Sequence, residues 1–223
     1  QVFRLLVARG VEEKGRLMEI ISLAARRKAV VERVPRQQLD SLASGAESHQ
    51  GVALEVSGFP YSFLSDILEA GRTSNEPLFI LMLDMIQNPQ NLGSLIRSAE
   101  AVGVHGVVLP LARAAGITPA VVHASSGAVE HVQVCQSNLA QAIAECKEAG
   151  AWVVGLEGGD RAQPTESIRL DGSLVLVVGN EGEGIRPLVA RSCDILMRLP
   201  MRGKVDSLNA AAAGTVALYL ALM

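Results

Sequence analysis

Aromatic residues and long apolar runs are both scarce in this chain. It contains one Trp, two Tyr and four Phe among 223 residues, although 49% of the residues are hydrophobic, so the core has to be built from Val, Leu, Ile and Ala. Aliphatic runs of this kind are typical of strands that are buried on both faces of a parallel sheet. No apolar run reaches the roughly 18 residues that a membrane-spanning helix needs. The composition therefore predicts an α/β protein with no membrane partner.

Cysteine is equally sparse: Cys135, Cys146 and Cys193 are far apart in the sequence and odd in number. They form no Cys-X-X-Cys pair, and the four histidines are scattered as well, so the sequence indicates neither a disulfide framework nor a zinc site. No secretory signal is visible. We therefore expect a reduced, cytoplasmic protein without a metal ion, in which the histidines have packing roles rather than catalytic ones.

Several common catalytic and nucleotide-binding motifs are missing. No GxGxxG follows a strand, which argues against a Rossmann dinucleotide site, and neither a GxxxxGK[ST] loop nor an HExxH pair occurs. A Ser-His-Asp triad has no GxSxG segment to support it. These absences disfavour a small-molecule α/β enzyme of the familiar kinds.

The net charge of −3 is unevenly distributed. Residues 1–58 hold nine Lys or Arg against seven Asp or Glu, whereas the remainder is acidic apart from a basic strip at 186–204. The strip consists of Arg186, Arg191, Arg198, Arg202 and Lys204, with Asp194 as its only acidic residue. Such a strip could follow the phosphates of a nucleic acid or could be an ordinary solvated surface, and charge alone favours neither interpretation.

Apolar periodicity divides the chain into two domains and a connection. Residues 1–58 read as a small α/β domain, residues 59–77 as a polar linker with a short helical piece at 64–70, and residues 78–223 as a larger α/β domain. In the first domain, strands are predicted over 3–8, 29–34 and 51–56, and helices over 14–27 and 37–43. In the second, strands are predicted over 78–84, 106–109, 131–135, 152–156, 174–178 and 195–199. One helix is predicted to begin near residue 91, and further helices are predicted over 138–149, 186–192 and 207–223. This alternation predicts a parallel sheet.

Three polar or glycine-rich loops follow strands of the larger domain, at 88–94, 179–184 and 200–209. Ligands of parallel sheets bind beyond the carboxyl ends of the strands, so these loops are the candidate site. Each loop also has a structural explanation: Asn88 to Asn91 as a capped turn, the glycines as chain reversals and Ser207 as a helix cap. Three such loops in one domain nevertheless favour a shared site.

The loops carry a family resemblance. NPQNLGSLIRSAEAVGV (88–104), LVLVVGNEGEGI (174–185) and LPMRGKVDSLNAAAAGTVAL (199–218) resemble the three motifs of the SpoU/TrmH (SPOUT) methyltransferases, and HASSGAVEHVQV (123–134) is similar to a segment between them. The first domain, which ends in His49-Gln50-Gly51-Val52, resembles the L30e-like substrate-binding domain of many members.

The resemblance implies a fold and an activity. It implies a homodimer whose parallel-sheet domain contains a deep trefoil knot, with the active site near the subunit interface. It also implies transfer of a methyl group from S-adenosylmethionine to a ribose 2′-oxygen of RNA, with the bacterial 23S rRNA guanosine-2′-O-methyltransferases as the most similar subfamily. The alternatives are a tRNA ribose methyltransferase and a noncatalytic RNA-binding protein of ribosome assembly.

The resemblance also assigns residues. The implied cofactor-binding residues are Gly179, Asn180, Leu199, Met201 and Leu208. The implied catalytic residues are Asn91, Arg97, Glu181, Ser207 and Asn209, with Glu181 and Asn209 orienting Arg97; Ser125 and Gly127 belong to the intermediate segment. A guanidinium is effectively always protonated, so we expect Arg97 to hold a phosphate or stabilise negative charge rather than act as a base.

Two departures from the family pattern affect these assignments. Many relatives have Asp-Pro-His-Asn where this chain has Asn88-Pro89-Gln90-Asn91, a difference that concerns substrate positioning. The helix after Asn209 usually begins Val-Ser-Val-Ala and here consists of four alanines, a difference that concerns packing.

Overall fold

The computed structural model describes residues 1–42, 49–159, 161–205 and 207–223. The chain forms two compact units, Gln1–Phe59 and Pro60–Met223.

The first unit is a three-stranded sheet in the order β2-β1-β3, with β2 parallel and β3 antiparallel to β1. Its elements are β1 (Val2–Ala8), α1 (Arg16–Arg26), β2 (Val30–Val34), α2 (Arg36–Leu42) and β3 (Val52–Val56). Successive strand residues point to opposite faces, and both faces are covered: Leu5 and Val7 cluster with α1, while Leu6 and Ala8 cluster with α2. This two-sided burial explains why the four residues from Leu5 to Ala8 form a continuous apolar run. The helix predicted over 37–43 begins at Arg36, and Ala43 lies outside the described residues.

The second unit contains a seven-stranded sheet in the order β6-β5-β4-β9-β7-β10-β8, and every neighbouring pair of strands is parallel. Its elements are α3 (Leu64–Thr73), β4 (Phe79–Leu83), α4 (Pro89–Ala101), β5 (Gly106–Pro110), α5 (Pro119–Ala124), β6 (Gln133–Ser137), α6 (Leu139–Glu148), β7 (Trp152–Leu156), β8 (Gln163–Pro164), β9 (Leu174–Val178), α7 (Pro187–Ser192), β10 (Ile195–Arg198) and α8 (Ala210–Leu222). The prediction of a parallel α/β sheet is confirmed. The short α5 and β8 were not predicted.

The segment interpreted as a linker, 59–77, is corrected by the structure. Leu64–Thr73 is the helix α3, and it belongs to the second unit, which begins at Pro60. Ile67 on α3 is fully buried in the core of that unit. It lies so close to Gly106 that a Cβ added there would be 2.5 Å from the Ile67 Cδ1. The polar faces of α3 concealed this docking from a reading of composition.

The helices α4 and α8 pack against each other at positions where side chains are small. A Cβ added at Gly214 would lie 2.4 Å from the Leu95 Cδ2, and the hydroxyls of Ser98 and Thr215 are 2.7 Å apart. Gly214 therefore allows α8 to pack closely on α4, and Ala210 and Ala211 at the start of α8 are buried as well. The contact also holds the N-terminal end of α8, next to Asn209, in a defined position.

A buried ion pair connects two loops at the carboxyl end of the sheet. Asp84, which directly follows β4, is 0% exposed. Its Oδ1 accepts from the Arg186 Nε at 2.8 Å and lies 2.7 Å from the Nη2, and its Oδ2 accepts from the Arg186 backbone N–H at 2.8 Å. Burial of a charge is tolerated when it is paired and hydrogen-bonded in this way. The pair joins the end of β4 to the residue that precedes α7.

We predict that Asp84→Ala destabilises the second unit by about 2 kcal/mol, because the mutation removes the charge-assisted contacts with the Arg186 side chain and leaves the Arg186 backbone N–H without its acceptor. Urea unfolding can be followed by the fluorescence of Trp152, the one tryptophan of the chain, which lies on β7. Asp171→Ala is the matched control, since its partner Arg169 is exposed and we expect no measurable change. An unchanged urea midpoint for Asp84→Ala would contradict the structural role of the pair.

Candidate functional site

The strands β9, β7 and β10 are neighbours in the sheet, and the loops that follow them enclose a cavity of about 310 Å³. The cavity is lined by Leu156, Glu157, Gly158, Val178, Gly179, Asn180, Glu181, Gly182, Glu183, Gly184, Arg198, Leu199, Met201, Ser207, Leu208, Ala210 and Ala213. All five predicted cofactor-binding residues are in this set. Two of the three predicted loops therefore meet around one space.

The 179–185 loop is a tight reversal of the backbone. A Cβ added at Gly179 would lie 2.2 Å from the Gly184 carbonyl carbon and 2.4 Å from the Ile185 nitrogen, so no side chain fits there. Inside the reversal, the Asn180 Oδ1 accepts from the backbone N–H groups of Gly182 at 3.0 Å and Glu183 at 2.7 Å. Gly179 thus serves the reversal itself, and residues 179–184 line the cavity.

A polar cluster of Asn91, Glu181 and Asn209 joins all three loops. The Glu181 Oε1 accepts from the Asn91 Nδ2 at 2.5 Å and from the Asn209 Nδ2 at 2.6 Å, and Asn209 also donates to the Asn91 Oδ1 at 3.1 Å. The backbone N–H of Ala210 lies 3.3 Å from the same Glu181 oxygen. Meanwhile the Asn209 Oδ1 caps α8 by accepting from Ala211 at 2.9 Å. The cluster therefore has a fixed orientation set by a helix terminus.

A second cavity of about 200 Å³ adjoins this cluster. It is lined by Met85, Ile86, Gln87, Asn88, Asn91, Asn180, Glu181 and Gly182. Asn180, Glu181 and Gly182 line both cavities, so the polar cluster stands between two spaces. Two reactants bound on either side would meet at Glu181.

Arg97 does not join the polar cluster. Asn91 and Arg97 are six residues apart on α4, which places them about 120° apart around the helix. The Arg97 Nη1 donates to the Ser126 Oγ at 3.1 Å, and within the described parts of the chain it shares no hydrogen bond with Glu181 or Asn209. The expectation that those two residues orient Arg97 is therefore not met within one chain.

The intermediate segment supplies a partner that the sequence did not single out. Ser126 has a φ of 53°, in the left-handed region, and Gly127 follows it with a φ of 85°. Ser125, which was named instead, is buried, and its hydroxyl donates to the Val122 carbonyl oxygen at 3.0 Å. The Ser125 hydroxyl is therefore bound within its own segment. The turn at Ser126 and Gly127 directs the Ser126 hydroxyl to Arg97 instead.

The remaining predicted residues line the larger cavity with exposed side chains. Met201 is 38% exposed and Leu208 is 40% exposed, and Ser207 lies beside them. The sequence analysis did not predict the part of the cavity lining at the end of β7, which consists of Leu156, Glu157 and Gly158. The Gly158-Gly159 pair directly after a buried strand was the available signal.

Other kinds of site find no support in the described residues. Burial raises the pKa of the Cys135, Cys146 and Cys193 thiols to about 12, so none of them is a ready nucleophile. No group of three or more His, Cys, Asp or Glu in the described ranges could hold a metal ion. Nor is any helix there both long and apolar enough to cross a membrane.

Known proteins resemble both parts of the chain. The SpoU rRNA Methylase family matches residues 78–219, and the RNA 2′-O ribose methyltransferase substrate-binding domain matches residues 1–62. A Bacillus subtilis (strain 168) protein assigned to the TrmH family of tRNA/rRNA methyltransferases is 44% identical over 210 residues, which cover 92% of this chain and 82% of that protein.

Solved structures are similar over nearly the whole chain. An S-adenosylmethionine-bound rRNA methyltransferase from Sinorhizobium meliloti matches with a TM-score of 0.82 and 25% identity, covering 99% of this chain and 79% of its own. The SpoU methyltransferase AviRb from Streptomyces viridochromogenes, in complex with the same cofactor, matches with a TM-score of 0.77 and 25% identity, covering 100% and 82%.

The three sequence motifs, the parallel sheet that brings them together and these matches agree. S-adenosylmethionine is accordingly the methyl donor. The chain belongs to the SpoU (TrmH) family of RNA methyltransferases.

Proposed function

We propose that this protein methylates the 2′-oxygen of a ribose, on a guanosine of 23S rRNA. The proposal is supported by the polar cluster of Asn91, Glu181 and Asn209, which stands between the larger cavity and the second one. Such an arrangement suits a direct transfer between two ligands that are held on either side.

The larger cavity fits the cofactor. The tight 179–185 loop can hold polar groups of the cofactor through its backbone, since Gly179 has no side chain in the way, and the edges of the adenine ring would meet N–H and C=O groups of the loop after β10. Leu199, Met201 and Leu208 offer apolar surface for the rest of the molecule. When bound, S-adenosylmethionine supplies a methyl group on a positively charged sulfur. The polar cluster would lie beside that end.

The protein's own groups then have two tasks. Glu181 and Asn209, fixed by the cap of α8, would orient the ribose hydroxyl so that its oxygen is aligned with the methyl group. Arg97, which remains protonated, would hold the ribose phosphate or stabilise the negative charge that develops on the oxygen. Alignment and charge stabilisation are sufficient for a displacement that needs no covalent intermediate.

A homodimer is part of the proposal. Within one chain Arg97 points to Ser126 rather than to the polar cluster, and α8 exposes Val216, Tyr219 and Leu222 by 44%, 47% and 56%. A second copy packed on such a face would bury these side chains and could bring its own Arg97 to the site. We also propose that the C-terminal segment forms the deep trefoil knot, because the chain returns from β10 to pack α8 on α4 and β9.

The first unit would recognise the RNA as an L30e-like domain over residues 1–58. Its basic residues Arg26, Arg27 and Lys28 are all exposed. The assignment to rRNA is supported by the Sinorhizobium enzyme, which matches both units. A tRNA substrate is the second candidate, because the Bacillus relative carries both substrates in its name. Either RNA would be met in the cytoplasm.

The cofactor site can be tested at Leu208. We predict that Leu208→Asp weakens S-adenosylmethionine binding at least about tenfold, because an apolar contact is replaced by a charge. Binding is measured by calorimetry. Gly179 is less suitable, since any side chain there would displace backbone. Val205→Asp is the control: Val205 is 63% exposed and lies outside the cavity lining, so its affinity should be unchanged. Equal affinities for both variants would contradict the assignment.

The role of Arg97 can be tested in cells and in solution. We predict that Arg97→Ala lowers methyl transfer about 100-fold or more without changing cofactor affinity, in line with the loss of a charge-stabilising donor. Arg97→Lys should restore little, because lysine lacks the planar fork. Arg72→Ala, which changes an exposed arginine on α3, is the control.

The same Arg97 variants identify the substrate. Mapping of 2′-O-methyl groups in total RNA should show one 23S rRNA guanosine that loses its methyl group without the gene and regains it with the wild type but not with Arg97→Ala. Loss of a 2′-O-methyl group from tRNA instead would favour tRNA as the substrate. Full modification by Arg97→Ala would remove Arg97 from the mechanism.

The RNA-binding role of the first unit predicts a salt effect. Neutralising Arg26, Arg27 and Lys28 one at a time to Gln should reduce the slope of log affinity against log salt by about 0.7 to 0.9 for each RNA phosphate that the protein no longer neutralises. Filter binding of a 23S rRNA fragment measures the slope, and Glu19→Gln on α1 is the control. Unchanged slopes for all three would direct attention to the basic strip at 186–204.

A further inference from the structure

Glu157 lines the larger cavity but has no role in the family motifs or in the proposed catalytic cluster. It directly follows β7, and its side chain is only 17% exposed. The Oε1 accepts from the Arg161 Nη2 at 3.2 Å. The Oε2 is buried and has no hydrogen-bond partner among the residues that the structure describes. A carboxylate with one unsatisfied oxygen therefore stands in the wall of the cofactor cavity.

An unpaired buried carboxylate oxygen is costly, and nearly all buried polar atoms in proteins have a partner. The ion pair does not remove the cost, since the Arg161 side chain is 83% exposed and contacts the other oxygen. Nor does the segment move freely: the Glu157 N–H donates to the Met197 carbonyl oxygen at 2.9 Å, and the Arg198 Nη1 donates to that of Gly159 at 3.3 Å. A hydroxyl of a ligand bound in the cavity would supply the missing donor.

The strand order indicates which part of the cofactor supplies that donor. β7 lies between β9 and β10 in the sheet. Gly179 directly follows β9, and Leu199 directly follows β10. The polar cluster lies on the β9 side, because Asn91 follows β4, the other neighbour of β9. The methyl-bearing sulfur must lie at that cluster, and the methionine part extends beyond the sulfur. The ribose, which separates sulfur from adenine, would then lie over the middle strand.

We propose that the Glu157 carboxylate, after rotation about its last side-chain bond, binds the ribose hydroxyls of S-adenosylmethionine. The inference rests on the proposed position of the cofactor in the larger cavity. A carboxylate is acceptor-only and matches a pair of hydroxyl donors, and hydrogen bonds from hydroxyl to carboxylate are short and strong. An acidic residue that binds ribose hydroxyls beside a parallel sheet is also the solution found in dinucleotide sites. Glu157 is then a positioning residue that sets the distance from the adenine end to the polar cluster.

The test compares two ligands by calorimetry on the full chain: S-adenosylhomocysteine and its analogue without the 2′ and 3′ hydroxyls. Neither ligand carries the sulfonium charge, so long-range attraction to a carboxylate contributes little to the comparison. The wild type should prefer the hydroxylated ligand by about 10- to 100-fold, the range for hydrogen bonds to a charged group. Glu157→Ala should bind both ligands with nearly equal affinity, and Glu157→Gln should show an intermediate preference.

Two controls separate this contact from other effects. Glu183→Gln removes an exposed carboxylate from the same cavity, and Arg161→Ala removes the ion pair but keeps the Glu157 carboxylate. Both should keep the wild-type preference. The ligand-free melting temperature of Glu157→Ala should equal or exceed that of the wild type, because an unsatisfied buried oxygen is removed.

The outcomes are distinguishable. A wild-type preference that survives in Glu157→Ala overturns the ribose contact while leaving the cofactor site intact. A lower melting temperature with equal weakening of both ligands would show a structural role and would also overturn it. If the wild type binds neither S-adenosylhomocysteine nor S-adenosylmethionine, the proposed cofactor site itself is wrong.

Discussion

The backbone of the 179–185 loop passes so close to itself that a single added carbon at Gly179 would collide with it. This constraint determines the site. The reversal places Glu181 where two other loops can reach it, and residues 179–184 line the larger cavity. Both ends of the loop are anchored, at β9 on one side and through the buried pair of Arg186 and Asp84 on the other. A loop held in this way needs little rearrangement when a ligand binds.

Rigidity of this kind suits the chemistry of the family. A methyl transfer without a covalent intermediate depends on the alignment of three atoms, and groups that are oriented in advance provide most of the benefit. The oxygen of Asn209 caps α8 while its nitrogen donates to Glu181, so the helix terminus and the polar cluster orient each other. The close packing of α4 and α8 at Gly214 supports the same geometry from behind. Packing of α8 behind the cavity therefore contributes to the position of the polar cluster.

The strands of the second unit were largely predictable because buried parallel strands are continuous aliphatic runs with polar ends. The prediction failed where stability comes from a tertiary contact rather than from a local pattern. α3 looked like a linker because its apolar residues are few, yet Ile67 fits over the bare backbone of Gly106. The strand β8 has only two residues, Gln163 and Pro164, and exists because β10 offers an open edge.

The candidate site was likewise predictable where it depends on sequence position and unpredictable where it depends on tertiary contacts. From the sequence alone came the three loops, the family and the residues of the polar cluster, because motif positions are fixed along the chain and parallel strands bring their ends to one edge. Only the tertiary structure separated Arg97 from that cluster and joined it to Ser126, because the direction of a side chain depends on its position around the helix and on a turn in another segment. Only the tertiary structure, too, showed that one Glu157 oxygen has no hydrogen-bond partner in the described parts of the chain. Whether a polar atom is satisfied depends on which donors the folded chain brings within reach, and these lie far away in the sequence.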